Sequence, residues 1–379
     1  MFEKFKFWLV VAIAVLLLIN IVPLQNVSGY FTYAFSTKTN LNINLTLINP
    51  SIKSISADPS NPLVMRAEIR NSEGKAVSNA QVVLSVSNNN GQIYPSSART
   101  DKNGECLVSY IPPPSIPEQL QKEDSKVTIT AGIYKTNTTS SLSVQLIKTP
   151  LLFIHGYQST AAVFDNMKGY FARMGYQTGA ISYKSQDGVV AASKELNSFI
   201  QQQKMQYLSK GIQVKKFDII THSMGGLVAR YYSCGDEYIK NNDIRKIIFI
   251  SIPHRGSLWA SIGVGYYNDQ GIRDLIPDSE LISVTLPSML NRGLNPMVQI
   301  GSIIGQYDEV VSPESASLDE WNIKTEVFNV GENNFSVNGL LNRNILETAN
   351  HATILNNRKI FERIEGMLNS NLTYPAIRK

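Results

Sequence analysis

After Thr149 the chain repeats one unit: a strand-length apolar run, a helix-length stretch, then another apolar run. Strands read at TPLLFIHG, YQTGAISY, FDIITH, IRKIIFIS, MVQIGSIIG and KTEVFNV, and each is apolar on both faces instead of alternating. Such strands must be covered above and below, as in a mostly parallel sheet with helices on both sides. Helices are expected near residues 161–174, 189–208, 224–234 and 354–368. Residues 258–296 follow no single period, and a connection that long commonly serves as a lid. With Trp259, Tyr266, Tyr267 and Met289 it reads either as an apolar lid or as an ordinary helical cap.

Before residue 149 the pattern is different. Ser, Asn and Thr are abundant, and short alternating runs (VMRAEIR, AQVVLSVS, GECLVSY, KVTITAGIY) are separated by NSEGKAVSN, NNNG, TDKNG and PPPSIP. Short strands with Gly, Asn and Pro turns at that spacing indicate a β-sandwich. The chain therefore divides near Lys148 into an all-β domain, residues 30–148, and an α/β domain, residues 149–379. The order Asn71 to Val77, Ala80 to Val86, Thr100 to Gly104 and Val127 to Ala131 resembles the bacterial immunoglobulin-like domains of invasin and intimin type. That resemblance implies a stalk or an adhesive module and brings no catalytic residues.

Residues 1–29 place Lys4 and Lys6 ahead of an apolar run from Phe7 to Val22, followed by the small residues Val27-Ser28-Gly29. This pattern is expected to be a signal peptide or an N-terminal transmembrane anchor. Either way the remaining chain lies outside the cytoplasm, secreted or membrane-attached. The net charge of +5 is not gathered into Lys/Arg blocks, so a nucleic-acid partner is not expected. Cys106 and Cys234 fall in different domains and read as two buried thiols. No Cys/His cluster has metal-ligand spacing, so no metal is assigned.

Within FDIITHSMGGLVARYY an apolar strand runs straight into Ser223, with His222 before it and Gly225 and Gly226 after it. A serine between a strand and a helix must sit on a sharp turn, and Gly225 gives room for one. A helix N-cap is the alternative role for a serine there. The segment resembles the nucleophile elbow, G-x-S-x-G, of the α/β-hydrolases, with Thr221 in place of the first glycine.

That resemblance implies further parts. A serine hydroxyl needs a base, and a base needs an orienting acid. Of four histidines only His351 follows the last strand, just ahead of the final helix, which is where the family carries its base. The acid is expected after MVQIGSIIG; Asp308 in GQYDEVVSP resembles the family's acid, with Glu309 as neighbour and rival. Phe153-Ile154-His155-Gly156-Tyr157 resembles the family's H-G-x turn, which implies an oxyanion hole formed by the backbone N–H groups of Tyr157 and Met224. Ser251 to Ser257 and Asp274 to Leu281 are similar to segments of the bacterial triacylglycerol lipases and esterases, the second covering the acyl pocket in that group.

The reading is an exported serine hydrolase that cleaves carboxylic or lipid esters without a cofactor. Acyl transfer and thioester or amide hydrolysis use the same acyl-enzyme and stay open. So does a surface binding protein whose hydrolase domain is inactive.

Overall fold

The computed structural model describes residues 41–121, 124–329 and 350–378. The expected signal or anchor, residues 1–29, lies outside them. Among the described residues no helix is long and apolar enough to cross a membrane.

The first nine strands are β1 (Leu41–Leu47), β2 (Ser54–Ser56), β3 (Leu63–Asn71), β4 (Gln81–Val86), β5 (Gln92–Tyr94), β6 (Ser97–Arg99), β7 (Glu105–Ile111), β8 (Lys126–Ile133) and β9 (Thr139–Ile147). Their alternation of apolar and polar residues turns one face of each sheet inward. In β3 Leu63, Met65, Ala67 and Ile69 are buried, and in β8 Val127, Ile129, Ala131 and Ile133 are. One sheet runs β1-β3-β7-β5, and the other contains β2-β9-β8-β4-β6. A single apolar core between them, with Tyr110 and Met65 among its largest members, makes this an immunoglobulin-like sandwich.

The second domain is built on β10 (Leu151–Ile154), β11 (Thr178–Ile181), β13 (Phe217–His222), β14 (Ile244–Ile250), β15 (Gln299–Gly305) and β16 (Thr325–Phe328). They pair in parallel in the order β11-β10-β13-β14-β15-β16. Every residue of β10 and β13 is buried, as expected for strands covered on both faces. All six strands read from the sequence are present. Helices α1 (Asp165–Arg173), α2 (Val189–Ser209), α3 (Met224–Ser233) and, near the chain end, a twelve-residue helix Arg358–Asn369 cover the two faces. The last of these buries Ile360, Phe361, Ile364, Met367 and Leu368 along one stripe, and the Asn357 side chain accepts from Lys359 N at its start.

One strand was not expected. Residues Ile212–Gln213, between α2 and β13, form β12, and this pairs in parallel with β2 at the edge of the sandwich sheet. These two residues lie within the stretch expected to form the α/β domain, and in the structure they join the two domains. A two-residue strand has no periodicity from which it could be recognised.

Residues 258–296 break into short pieces, including α4 (Leu258–Gly263) and α5 (Gln270–Asp274). Ala260, Ile272, Leu275, Leu281, Leu286 and Leu294 are buried in the main core, so one side of the region is a cap on the domain. The region also exposes apolar side chains: Leu258, Ile262 and Tyr266 are 77%, 60% and 84% accessible. Cys106 and Cys234 are both buried free thiols.

Candidate active site

The turn after β13 is the most constrained place in the chain. Ser223 has φ 52° and ψ −132°, a conformation that a non-glycine residue adopts only when its surroundings impose it. Its N–H donates to Ile250 O of β14 (3.2 Å), and its carbonyl accepts from Gly226 N in the first turn of α3 (3.0 Å). A Cβ on Gly225 would stand 2.4 Å from the carbonyl oxygens of both Ile154 and His155, so only glycine lets α3 cross β10 this closely. A Cβ on Gly156 would meet Ser223 Cβ at 2.7 Å, which puts the turn after β10 directly against the serine. At the departure from the family's motif, the Thr221 side chain is fully buried and its hydroxyl donates to Ile248 O (3.3 Å). Ser223 is thus on a strand-turn-helix elbow and its side chain does not cap the helix.

His351 lies in the short helical segment Asn350–Thr353. Its Nδ1 is 2.9 Å and 3.0 Å from the two oxygens of Asp308, in the loop after β15. Both side chains are nearly dry, at 4% and 1% accessible. A carboxylate opposite Nδ1 fixes the proton on that nitrogen and leaves Nε2 as the free base. Asp308 also accepts from Val310 N (3.0 Å) and Val311 N (2.8 Å). Burial pushes its carboxyl upward, but the adjacent His351 ring, the Ser251 side chain and the hydrogen bonds from His351 and Val311 N outweigh it, and the group sits below the usual carboxylate range. Glu309 does not share this work. Both of its carboxylate oxygens are buried without a hydrogen-bond partner among the described residues, and burial pushes its pKa up.

His222 contributes a part that the sequence did not reveal. Its ring packs on His351 with centroids 4.5 Å apart, and its Nε2–H donates to the His351 carbonyl at 2.8 Å. Burial, then the neighbouring His351, lower its pKa to about 3, so it stays a neutral donor. The residue before the candidate nucleophile therefore holds the candidate base by its backbone. No hydrogen bond joins Ser223 Oγ to His351 among the described residues; such bonds are commonly long until substrate is bound.

The turn after β10 is held by His155. The Gly156 carbonyl accepts from its Nδ1 (2.8 Å), and its Nε2 accepts from Tyr183 N (3.2 Å), which defines a neutral tautomer with the proton on Nδ1. The Tyr183 ring stacks on it at 4.3 Å, and the Tyr183 hydroxyl donates to His155 O (2.7 Å). Met224 is the first residue of α3, so its N–H has no acceptor within the helix. The Tyr157 hydroxyl donates to Asp269 (2.6 Å), the N-cap of α5, linking the same turn to the cap region.

Two motifs resembling the lipase group have a structural role in this chain. Asp274 Oδ2 accepts from Val189 N (2.7 Å), which caps α2. His254 takes a hydrogen bond on Nδ1 from Arg230 (3.2 Å), a fully buried guanidinium that also donates to Gly293 O (3.0 Å) and Arg292 O (3.2 Å). Arg230 is on α3, so the helix behind Ser223, the turn after β14 and the end of the cap are tied together. Among the described residues no group of three or more His, Cys, Asp or Glu converges as metal ligands do.

The parallel sheet, the elbow after its third strand from the β11 edge and the loops carrying Asp308 and His351 give the second domain the α/β-hydrolase fold, preceded by an immunoglobulin-like sandwich. Residues 183–330 match the family described as "PGAP1-like alpha/beta domain". No curated protein sequence matches the chain. Among solved structures, the mature form of the Bacillus licheniformis lipase BlEst2 is similar, at 12% identity over 58% of this chain and 91% of that one, with a TM-score of 0.43. Aspergillus fumigatus lipase B matches at 13% identity over 60% and 54% (TM-score 0.44). The D00-D0 domain of intimin matches at 15% identity over 30% of this chain and 50% of its own (TM-score 0.24).

Proposed function

We propose that the protein is an extracytoplasmic serine hydrolase of carboxylic esters, with Ser223 as nucleophile, His351 as general base and Asp308 as the acid that orients it. The observation that carries this reading is the buried Asp308–His351 pair at 2.9 Å, braced through His222 on the residue beside an elbow serine with φ 52°. Ser223 Oγ attacks the ester carbonyl as its proton passes to His351 Nε2. The tetrahedral oxyanion is met by the N–H groups of Tyr157 and Met224, each donor being worth about 10²- to 10³-fold in rate. Collapse breaks the bond to the alcohol oxygen, which takes the proton from His351, and leaves an acyl-Ser223. Water, deprotonated by His351, then releases the acid and restores the serine.

The exposed apolar side chains Leu258, Ile262 and Tyr266 in the cap region support an ester with a long acyl group, since exposed apolar surface matches a hydrocarbon chain better than a small polar acid. The location outside the cytoplasm rests on the Lys4/Lys6 and Phe7-to-Val22 pattern, and membrane association on the same segment. Hydrolysis of p-nitrophenyl esters from acetate to palmitate by the chain lacking residues 1–29 tests the reading, with Ser223→Ala as control. Activity on the longer esters that is lost in the variant is expected; equal activity in the variant would remove Ser223 from the chemistry.

A further inference from the structure

A separable stalk is joined to its neighbour by an exposed, flexible linker with few contacts across it. The junction here is of another kind. Only residues 148 to 150 separate β9 from β10, and they are pinned on both sides. Lys148 Nζ donates to Met174 O (2.8 Å), Thr149 is buried with its hydroxyl 3.4 Å from Ala57 O, and Pro150 O accepts from Asp218 N of β13 (3.1 Å).

The second point of attachment is β12. Gly211 O accepts from both Lys53 N (2.7 Å) and Ser54 N (3.1 Å) of the sandwich. Asn61, 1% accessible, donates to Gln213 O (2.9 Å) and accepts from Gln213 Nε2 (3.0 Å), which also donates to Pro62 O (2.9 Å). Gly211 has φ +73°, and a Cβ there would meet Ser51 O at 2.5 Å, so the approach is close as well as hydrogen-bonded.

The third is Arg245 on β14. It forms a two-pronged pair with the fully buried Asp218 on β13 (Nε to Oδ1, 2.8 Å), and its remaining nitrogen donates to Pro114 O in the sandwich (2.7 Å).

These three attachments converge on the same strands. Gln213 is four residues before Phe217, the start of β13, whose far end carries His222 and Ser223; Asp218 and Arg245 lie near the starts of β13 and β14, and β14 ends against the elbow through Ile250 O. We infer that the immunoglobulin-like sandwich positions the catalytic strands: it holds the starts of β10, β13 and β14 through Thr149, Gln213 and Arg245, and so sets the height and tilt at which Ser223 meets His351. It is an integral part of the hydrolase, and the partner of its β2 edge is this chain's own Ile212–Gln213.

The test uses both domains together, in the chain lacking residues 1–29, and has two arms. Scanning calorimetry reads the coupling without reference to any activity: one cooperative transition is expected for both domains, and Asn61→Ala and Arg245→Lys each lower it as a unit. Two resolved transitions, with the hydrolase one unmoved by either substitution, would overturn the inference. The kinetic arm rests on the proposed ester hydrolysis. Both variants are expected to lose kcat on the order of tenfold with KM nearly unchanged, because the serine is misplaced while the acyl pocket is not touched. A control at the exposed Tyr134, Tyr134→Ser, leaves both readouts at wild-type values. Arg245→Lys keeps a cation beside Asp218 but cannot span both Asp218 and Pro114, so it reports on the link even where Asn61→Ala folds poorly. Unchanged kcat in Arg245→Lys would count against the inference. An inactive wild-type chain that still melts in one coupled transition would leave the inference standing and the ester-hydrolase reading refuted.

Discussion

Neutral, buried His222 makes the acid stability of this protein calculable. The group titrates at 6.5 when exposed and at about 3 in the fold. Between those values the unfolded chain binds a proton that the folded chain does not, so stability is full above 6.5 and falls as the pH drops toward 3. At pH 5 the loss from this residue is 1.5 pH units below the unfolded value, or about 2 kcal/mol, a large part of the roughly 5–15 kcal/mol that holds a typical domain folded. His222→Gln removes the titration and keeps an amide that can reach the His351 carbonyl. The assay is the urea midpoint of the wild type and the variant at pH 7 and pH 5. The variant is expected to start less stable at pH 7 and to lose about 2 kcal/mol less than the wild type on acidification. His155 and His254 are also depressed by burial, but they titrate in both proteins and cancel in the difference. Parallel losses in the two proteins would refute the claim that His222 is held neutral.

Other substitutions test neighbouring parts of the account. Gly225→Ala drives a Cβ to 2.4 Å from two backbone carbonyls that cannot move, and it is expected to cost more than about 3 kcal/mol by thermal denaturation. Asp308→Asn leaves the hydrogen bond in place but stabilises the wrong tautomer of His351, and kcat should fall by about 10⁴-fold with little change in folding. Arg230→Met strips donors from the carbonyls of Gly293, Arg292 and His254, and the melting temperature should drop by the equivalent of about 3 kcal/mol.

Much of this was legible in the sequence because it is local. Six doubly covered strands announce themselves by unbroken apolar runs such as FDIITH and IRKIIFI, and the elbow by a serine between such a run and two glycines. Asp308 and His351 were reached through their order along the chain relative to those strands, and they lie in contact. What could not be read depends on groups far apart in sequence. His222 looks like a bystander until the chain brings it against a residue 129 positions away. Asp274, in a segment resembling the acyl-pocket cover of lipases, turns out to cap a helix 85 positions back. Gln213 carries no strand signal at all, and its pairing with a sandwich 152 residues upstream is a property of the assembled fold. The resemblance to stalk-like immunoglobulin domains pointed away from that junction, because such domains share the sandwich and not its attachment.

The central claim is that Ser223 is an activated nucleophile in a formed oxyanion site. Labelling the chain with a fluorophosphonate and locating the adduct by mass spectrometry tests it most directly, since the probe needs both an ionisable serine and donors for the phosphonyl oxygen. One phosphonyl group on Ser223, lost in His351→Ala and absent from the unfolded chain, is the predicted result. A folded protein whose Ser223 stays unmodified at long exposure would contradict it.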